Sequence, residues 1–108
     1  MIDLPGETEK LLKKWNGGEG SLWQYSSSFQ RLSIRLKKQE MKGNLFIICS
    51  PLISIHADKI FWNKLDLHIS IEKTNPLLGS TFLIEDHSNG LEIRCMGLHF
   101  KEITDEII

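Results

Sequence analysis

The sequence predicts an α+β fold: a curved, mostly antiparallel meander sheet of seven or eight short strands with one N-terminal helix packed on it. Three observations point there. Helical periodicity is confined to the first 17 residues, and from Leu22 onward the apolar residues recur with period two. The extended runs follow one another through short polar links rather than alternating with helices, which argues against βαβ architecture.

The helix comes first. Pro5 suits an initial helical turn, Glu7 and Glu9 favour the positive N-terminal end, Lys13 and Lys14 favour the other, and Gly17 follows as a stop. Leu11, Leu12 and Trp15 form one apolar stripe, suited to packing on a sheet. After GGEG the segment Leu22 to Ser28 is rich in aromatic and hydroxyl residues, with Trp23 and Tyr25 of equal parity.

RLSIRLK, residues 31 to 37, alternates cleanly, with Leu32, Ile34 and Leu36 directed inward and Arg31, Ser33, Arg35 and Lys37 outward. That pattern describes a half-buried strand in an antiparallel sheet. A turn is expected at Lys42 to Asn44. The run LFIICS is apolar on both faces and is expected as a central strand covered on both sides. Pro51 ends it or marks an edge, and LISIH begins another short strand. DKIFWN, residues 58 to 63, reads as an irregular link or a short helical turn.

Leu65 to Lys73 alternates again, with Leu67, Ile69 and Ile71 inward and His68, Ser70 and Glu72 outward. KTNPLLG is a loop. Thr81 to Asp86 is a strand, HSNG a hairpin turn in which Asn89 and Gly90 tolerate positive φ, and Leu91 to Met96 its partner. A final strand follows Gly97, with a helical turn open to the chain after Thr104.

The chain of 108 residues is expected as a single domain, residues 1–108, and a globule of that size buries roughly 64 to 68% of its unfolded surface. It is 41% hydrophobic and 25% charged, ordinary values for a globular domain. No apolar run approaches the roughly 20 residues that span a bilayer, and the N-terminus has neither the basic start nor the apolar stretch of a signal peptide. A cytoplasmic location without membrane association is therefore expected. Two cysteines are too few for a disulfide framework, so free thiols are expected.

Net charge is −1, against bulk attraction to nucleic acid, but it is unevenly spread. Residues 1–43 hold eight basic and five acidic groups, whereas residues 44–108 hold five basic and nine acidic.

IRCMGLHF, residues 93 to 100, sets Cys95 four residues before His99, and Cys49 and His56 form a second couple upstream. Zinc needs ligands converging at about 2.0 to 2.3 Å, and strong signals pack two ligands into a tight knuckle. No such knuckle is present. Along a strand, Cys95 and His99 stand roughly 13 Å apart. The inward set instead changes parity across Gly97: Leu91, Ile93 and Cys95 are odd, Leu98 and Phe100 even. A bulge or turn at Gly97 therefore sends Cys95 inward and His99 outward. Cys49 shares the inward parity of Leu45 and Ile47. Both cysteines are expected as small core residues, with a Cys49–Cys95 contact or oxidisable pair the next alternative and no metal or other cofactor expected.

Arg31, Arg35 and Lys37, with Arg94 on a distant strand, make a candidate basic face. Sheet faces bind single-stranded nucleic acid by combining phosphate contacts with aromatic platforms, for which Trp23, Tyr25 and Trp62 are candidates. The competing reading is a solvated surface, since Glu92 flanks Arg94 and Glu72 and Asp66 fall nearby in pattern.

Catalytic signals are sparse. His68 and Ser70 lie side by side on one strand face, Glu85, Asp86 and His87 lead into a turn, and no glycine-rich phosphate loop is present. Phe61 and Trp62 are adjacent, so on an extended segment one faces the core and the other offers an anchor to a partner, unless both are buried under a folded-back loop.

The expectation is accordingly a non-enzymatic protein-binding or accessory module, similar in size and character to many small bacterial accessory proteins. It would dock another protein, or a second copy of itself, through a sheet edge or the Phe61/Trp62 segment. Single-strand nucleic-acid or anion binding through Arg31, Arg35, Lys37 and Arg94 is the alternative, and an enzyme using His68 is third.

Overall fold

The computed structural model describes residues 6–75, 77 and 79–103. Helix α1 (Gly6–Trp15) precedes β1 (Gly18–Ser26), β2 (Arg31–Lys37), β3 (Asn44–Cys49), β4 (Leu52–Ala57), β5 (Phe61–Leu65), β6 (His68–Asn75), β7 (Gly79–Asp86), β8 (Leu91–Cys95) and β9 (Leu98–Ile103). All strand pairing is antiparallel. Two sheets result, one of five strands in the order β5-β1-β2-β3-β9 and one of four in the order β4-β8-β7-β6.

The sheets share a bent ribbon. β3 pairs with β9 in the first sheet and β4 with β8 in the second, and the register runs through the bend without a slip: Cys49 faces Leu98 on one side and Leu52 faces Cys95 on the other. At the corner Ser50 N–H donates to the Gly97 carbonyl (3.1 Å) and Met96 N–H to the Pro51 carbonyl (2.9 Å). The Ser50–Pro51 peptide is cis. A side chain at residue 97 would collide with the Ser50 carbonyl oxygen, so the close approach of the two strands requires glycine. Strands that bend from one sheet into another are the usual corners of orthogonally packed sheets.

The parity change at Gly97 is this corner. Cys95 is inward on β8 and Leu98 inward on β9, whereas exposed His99 lies opposite Ile48 on the outer side. Inner residues of both sheets, among them Ile34, Leu45, Ile47, Leu65, Ile84 and Ile93, join Leu12 and Trp15 of α1 in one buried cluster. The helix is tied at its C-terminal end, where Asn16 exchanges two hydrogen bonds of 2.9 Å with the Leu67 backbone.

Several segments differ from the pattern-based expectation. The residues read as an irregular link form β5 from Phe61, an edge strand on β1; FWNKL is short and does not alternate, so its pairing comes from its neighbours rather than its own pattern. With β5 counted, nine strands are formed among the described residues rather than seven or eight. Pro51 marks the corner between sheets, not a sheet edge. The KTNPLLG loop contracts to a hairpin in which Asn75 faces Gly79, and the HSNG turn contains a single 3-10 turn closed by Gly90 at φ 66°. β3 is covered on one side only, because Phe46 and Ile48 lie half-buried on the outer face. Pro5 and the segment after Ile103 lie outside the described residues.

Candidate functional site

The outer face of the five-stranded sheet gathers most of the residues of interest. One row crosses all five strands in register: Phe61 on β5, Ser21 on β1, Arg35 on β2, Phe46 on β3 and Lys101 on β9. The pleat gives Arg31 and Lys37 the same side as Arg35, since both stand an even number of positions away along β2.

Trp23 is added to this face by a bulge. The register of β1 and β2 slips between Leu22 and Gln24, leaving Trp23 as the extra residue. Its ring lies under the Arg35 guanidinium, 4.1 Å from carbon to ring centroid, and beside Phe46, with centroids 6.4 Å apart and planes tilted by 59°. A cation over an indole at that distance is an attractive cation–π contact, worth about 0.5 to 1 kcal/mol where solvent reaches it. Trp23 remains 48% exposed and Phe61 45%.

The charge on this face is lopsided. Among the described residues no carboxylate is within ion-pair distance of Arg31, Arg35, Lys37 or Lys101, and the acidic neighbour in register is Glu19, opposite Lys37. The Ser21 hydroxyl, between Phe61 and Arg35 in the row, and the Asn44 side-chain oxygen are shut off from solvent without a hydrogen-bond partner. Such groups are uncommon in folded chains.

Arg94 does not join this face. It lies on β8 in the other sheet, where its guanidinium donates to both carboxylate oxygens of Glu72 (2.9 and 3.1 Å) and pairs with Glu92. Those two carboxylates raise its pKa further above the ordinary arginine value. Trp62 is also unavailable for docking: it is 3% exposed and its indole N–H donates to the Asn89 carbonyl at 3.2 Å. Phe61, with adjacent Ile60 on the solvent side, is the exposed member of the pair. Tyr25 is exposed near the far end of β1, paired in register with Leu32.

His68 lines an open groove of about 620 Å³ together with Lys64, Asp66, Glu85, His87 and Asn89. Glu85 stands opposite His68 and contacts His87 at 2.6 Å. Ser70, by contrast, faces Leu83. Buried Asp86 beneath the groove has a structural task, accepting from the Asp66 amide (2.8 Å) and the Asn89 side chain (2.7 Å). Among the described residues no three His, Cys, Asp or Glu side chains converge to hold a metal ion. No described helix is long and apolar enough to cross a membrane.

Cys49 and Cys95 are both fully buried free thiols that neighbour each other at the corner, close enough for each to shift the acidity of the other. The Cys49 thiol and the Gly97 backbone pull the Cys95 pKa down, while Cys95 and burial push Cys49 up.

Phe46 and Lys101 are members of the face that pattern reading passed over. The parity shift at Gly97 carried the signal for Lys101, which must follow His99 outward. For Phe46 the signal was masked by the all-apolar run around it. No protein-family model, curated protein or solved structure matches the chain.

Proposed function

We propose that the chain is a non-enzymatic binding module that docks an acidic protein surface on the outer face of its five-stranded sheet, beside the β5 edge. The observation that carries this reading is the grouping of half-exposed Trp23 and Phe61 around Arg35 on one sheet face. Aromatic residues and arginine are the side chains enriched at protein interfaces, and they dominate their energetics. β5, paired with β1 on one side, leaves its other edge open among the described strands, and an extended segment of a partner can hydrogen-bond there.

The test is affinity purification with three baits: the natural chain, a face variant carrying Trp23→Ala and Arg35→Glu, and Arg94→Ala on the opposite sheet. A partner recovered by the natural chain and by Arg94→Ala, but lost with the face variant, supports the reading. Partners indifferent to the face variant, or no partner at all, overturn it.

A second reading has its own observation, Arg31, Arg35, Lys37 and Lys101, without a carboxylate partner among the described residues, interleaved with Trp23 and Phe46. Single-stranded nucleic acid is held by this combination of cations and stacking platforms. Binding of labelled single strands that falls steeply with salt and is lost in the face variant would favour it over a protein partner.

A further inference from the structure

The corner between the two sheets holds a pair of thiols that none of the binding chemistry uses. In a flat ladder Cys49 and Cys95 would be three positions out of step, because Cys49 faces Leu98 while Cys95 faces Leu52. That offset amounts to roughly 10 Å along a strand. Both residues point to the inside of the bend into one buried cluster, and folding the ribbon through the corner makes the two thiols neighbours. Neither thiol has any exposed surface.

We propose that Cys49 and Cys95 form a reversible redox couple, oxidised by hydrogen peroxide to a disulfide that locks the angle between the two sheets. Cys95 is the attacking sulfur. As the thiolate, stabilised by the Cys49 thiol and the Gly97 N–H, it attacks one peroxide oxygen, giving a sulfenic acid and hydroxide. Cys49, its neighbour at the corner, then gives up its proton and attacks the Cys95 sulfur, and the sulfenic oxygen leaves as water. In balance, two thiols and one peroxide give one disulfide and two waters, and the two electrons lost by sulfur are gained by the peroxide. A thiol reductant reverses the couple by exchange.

The burial that hides the pair also favours the disulfide over further oxidation. A sulfenic acid formed beside a resolving thiol is consumed before a second peroxide reaches it. The bond would close a loop running from β3 to β8, and cross-links over such distances raise Tm, here by roughly 5 to 15 °C.

The test uses the full chain, reduced and then treated with hydrogen peroxide. The expected product is a monomer that has lost two hydrogens in intact mass, in which digestion finds the Cys49 peptide joined to the Cys95 peptide. Dithiothreitol should restore the original mass and the lower Tm. Two single variants test the direction of attack: Cys49→Ser should leave a Cys95 sulfenic acid trapped by dimedone, whereas Cys95→Ser should leave Cys49 unlabelled.

Oxygen addition without a cross-link in the natural chain overturns the proposal. So does a disulfide that forms only between chains. If either serine variant fails to fold, the mass and peptide map of the natural chain decide the matter alone.

Discussion

Trp15 on α1 donates its indole N–H to the carboxylate of Glu102 on β9 at 2.6 Å, joining the first of the described elements to the last. Lys14 donates to the same oxygen at 2.9 Å. Trp15 is completely buried while Lys14 is exposed, so the carboxylate sits at the boundary between core and solvent. These two donors hold its pKa below the ordinary glutamate value.

Glu102 therefore makes stability depend on pH. Its contribution is fully present above the unfolded glutamate pKa of about 4.3 and is lost as pH falls through the depressed folded value. Glu102→Gln keeps an acceptor for the indole but loses the charge, and should cost about 1 kcal/mol at neutral pH. The cost should shrink towards zero in acid. Urea unfolding of the two proteins at neutral pH and below the carboxylate range measures both quantities.

Gly97→Ala should destabilise by about 1 to 3 kcal/mol, because its methyl group has to displace the Ser50 carbonyl from the corner. Amide exchange at Ser50 and Met96, the two donors of the corner hydrogen bonds, should accelerate in the variant. Unchanged exchange at both sites would show that the bend tolerates a side chain.

Phe61 and Trp62 should part company on substitution. Trp62→Ala removes a buried ring and a hydrogen bond, with an expected loss of about 3 to 5 kcal/mol. Phe61→Ala should stay within about 0.5 kcal/mol of the natural chain in unfolding while weakening partner capture. Thermal melts of the two variants side by side make the comparison.

Asp86→Ala should cost about 1 to 3 kcal/mol, since it leaves the part-buried Asp66 amide and the Asn89 side chain without the carboxylate that accepts from them. The loss should appear locally, as faster exchange of the Asp66 amide, in the link between β5 and β6. An unaltered Asp66 exchange rate would mean that water replaces the carboxylate.

Much of this arrangement is legible in the sequence because alternation records which side of a sheet a residue takes. RLSIRLK put Leu32, Ile34 and Leu36 inside and Arg31, Arg35 and Lys37 outside, and the parity break located the bend at Gly97. Alternation does not record which sheet a strand enters. For that reason alternation alone groups Arg94 with the other arginines although it lies on the opposite sheet, held by Glu72 and Glu92. The corner at Pro51 looked like a strand end, because a continuous ribbon and two separate strands leave the same pattern. Trp62 and Phe61 were distinguishable only once β5 was paired, since five residues without alternation carry no facing information.

The unbroken pairing through the corner also says where this chain can change length. One residue added to 50–51 without a matching addition at 96–97 would displace the start of β4 against β8, on a strand that already carries Ile53 as an extra residue between Leu52 and Ser54. The hairpin tip around 38–43 bears no such constraint. Length changes should therefore be tolerated at the 38–43 tip more readily than at the corner, where both arms of the ribbon are paired.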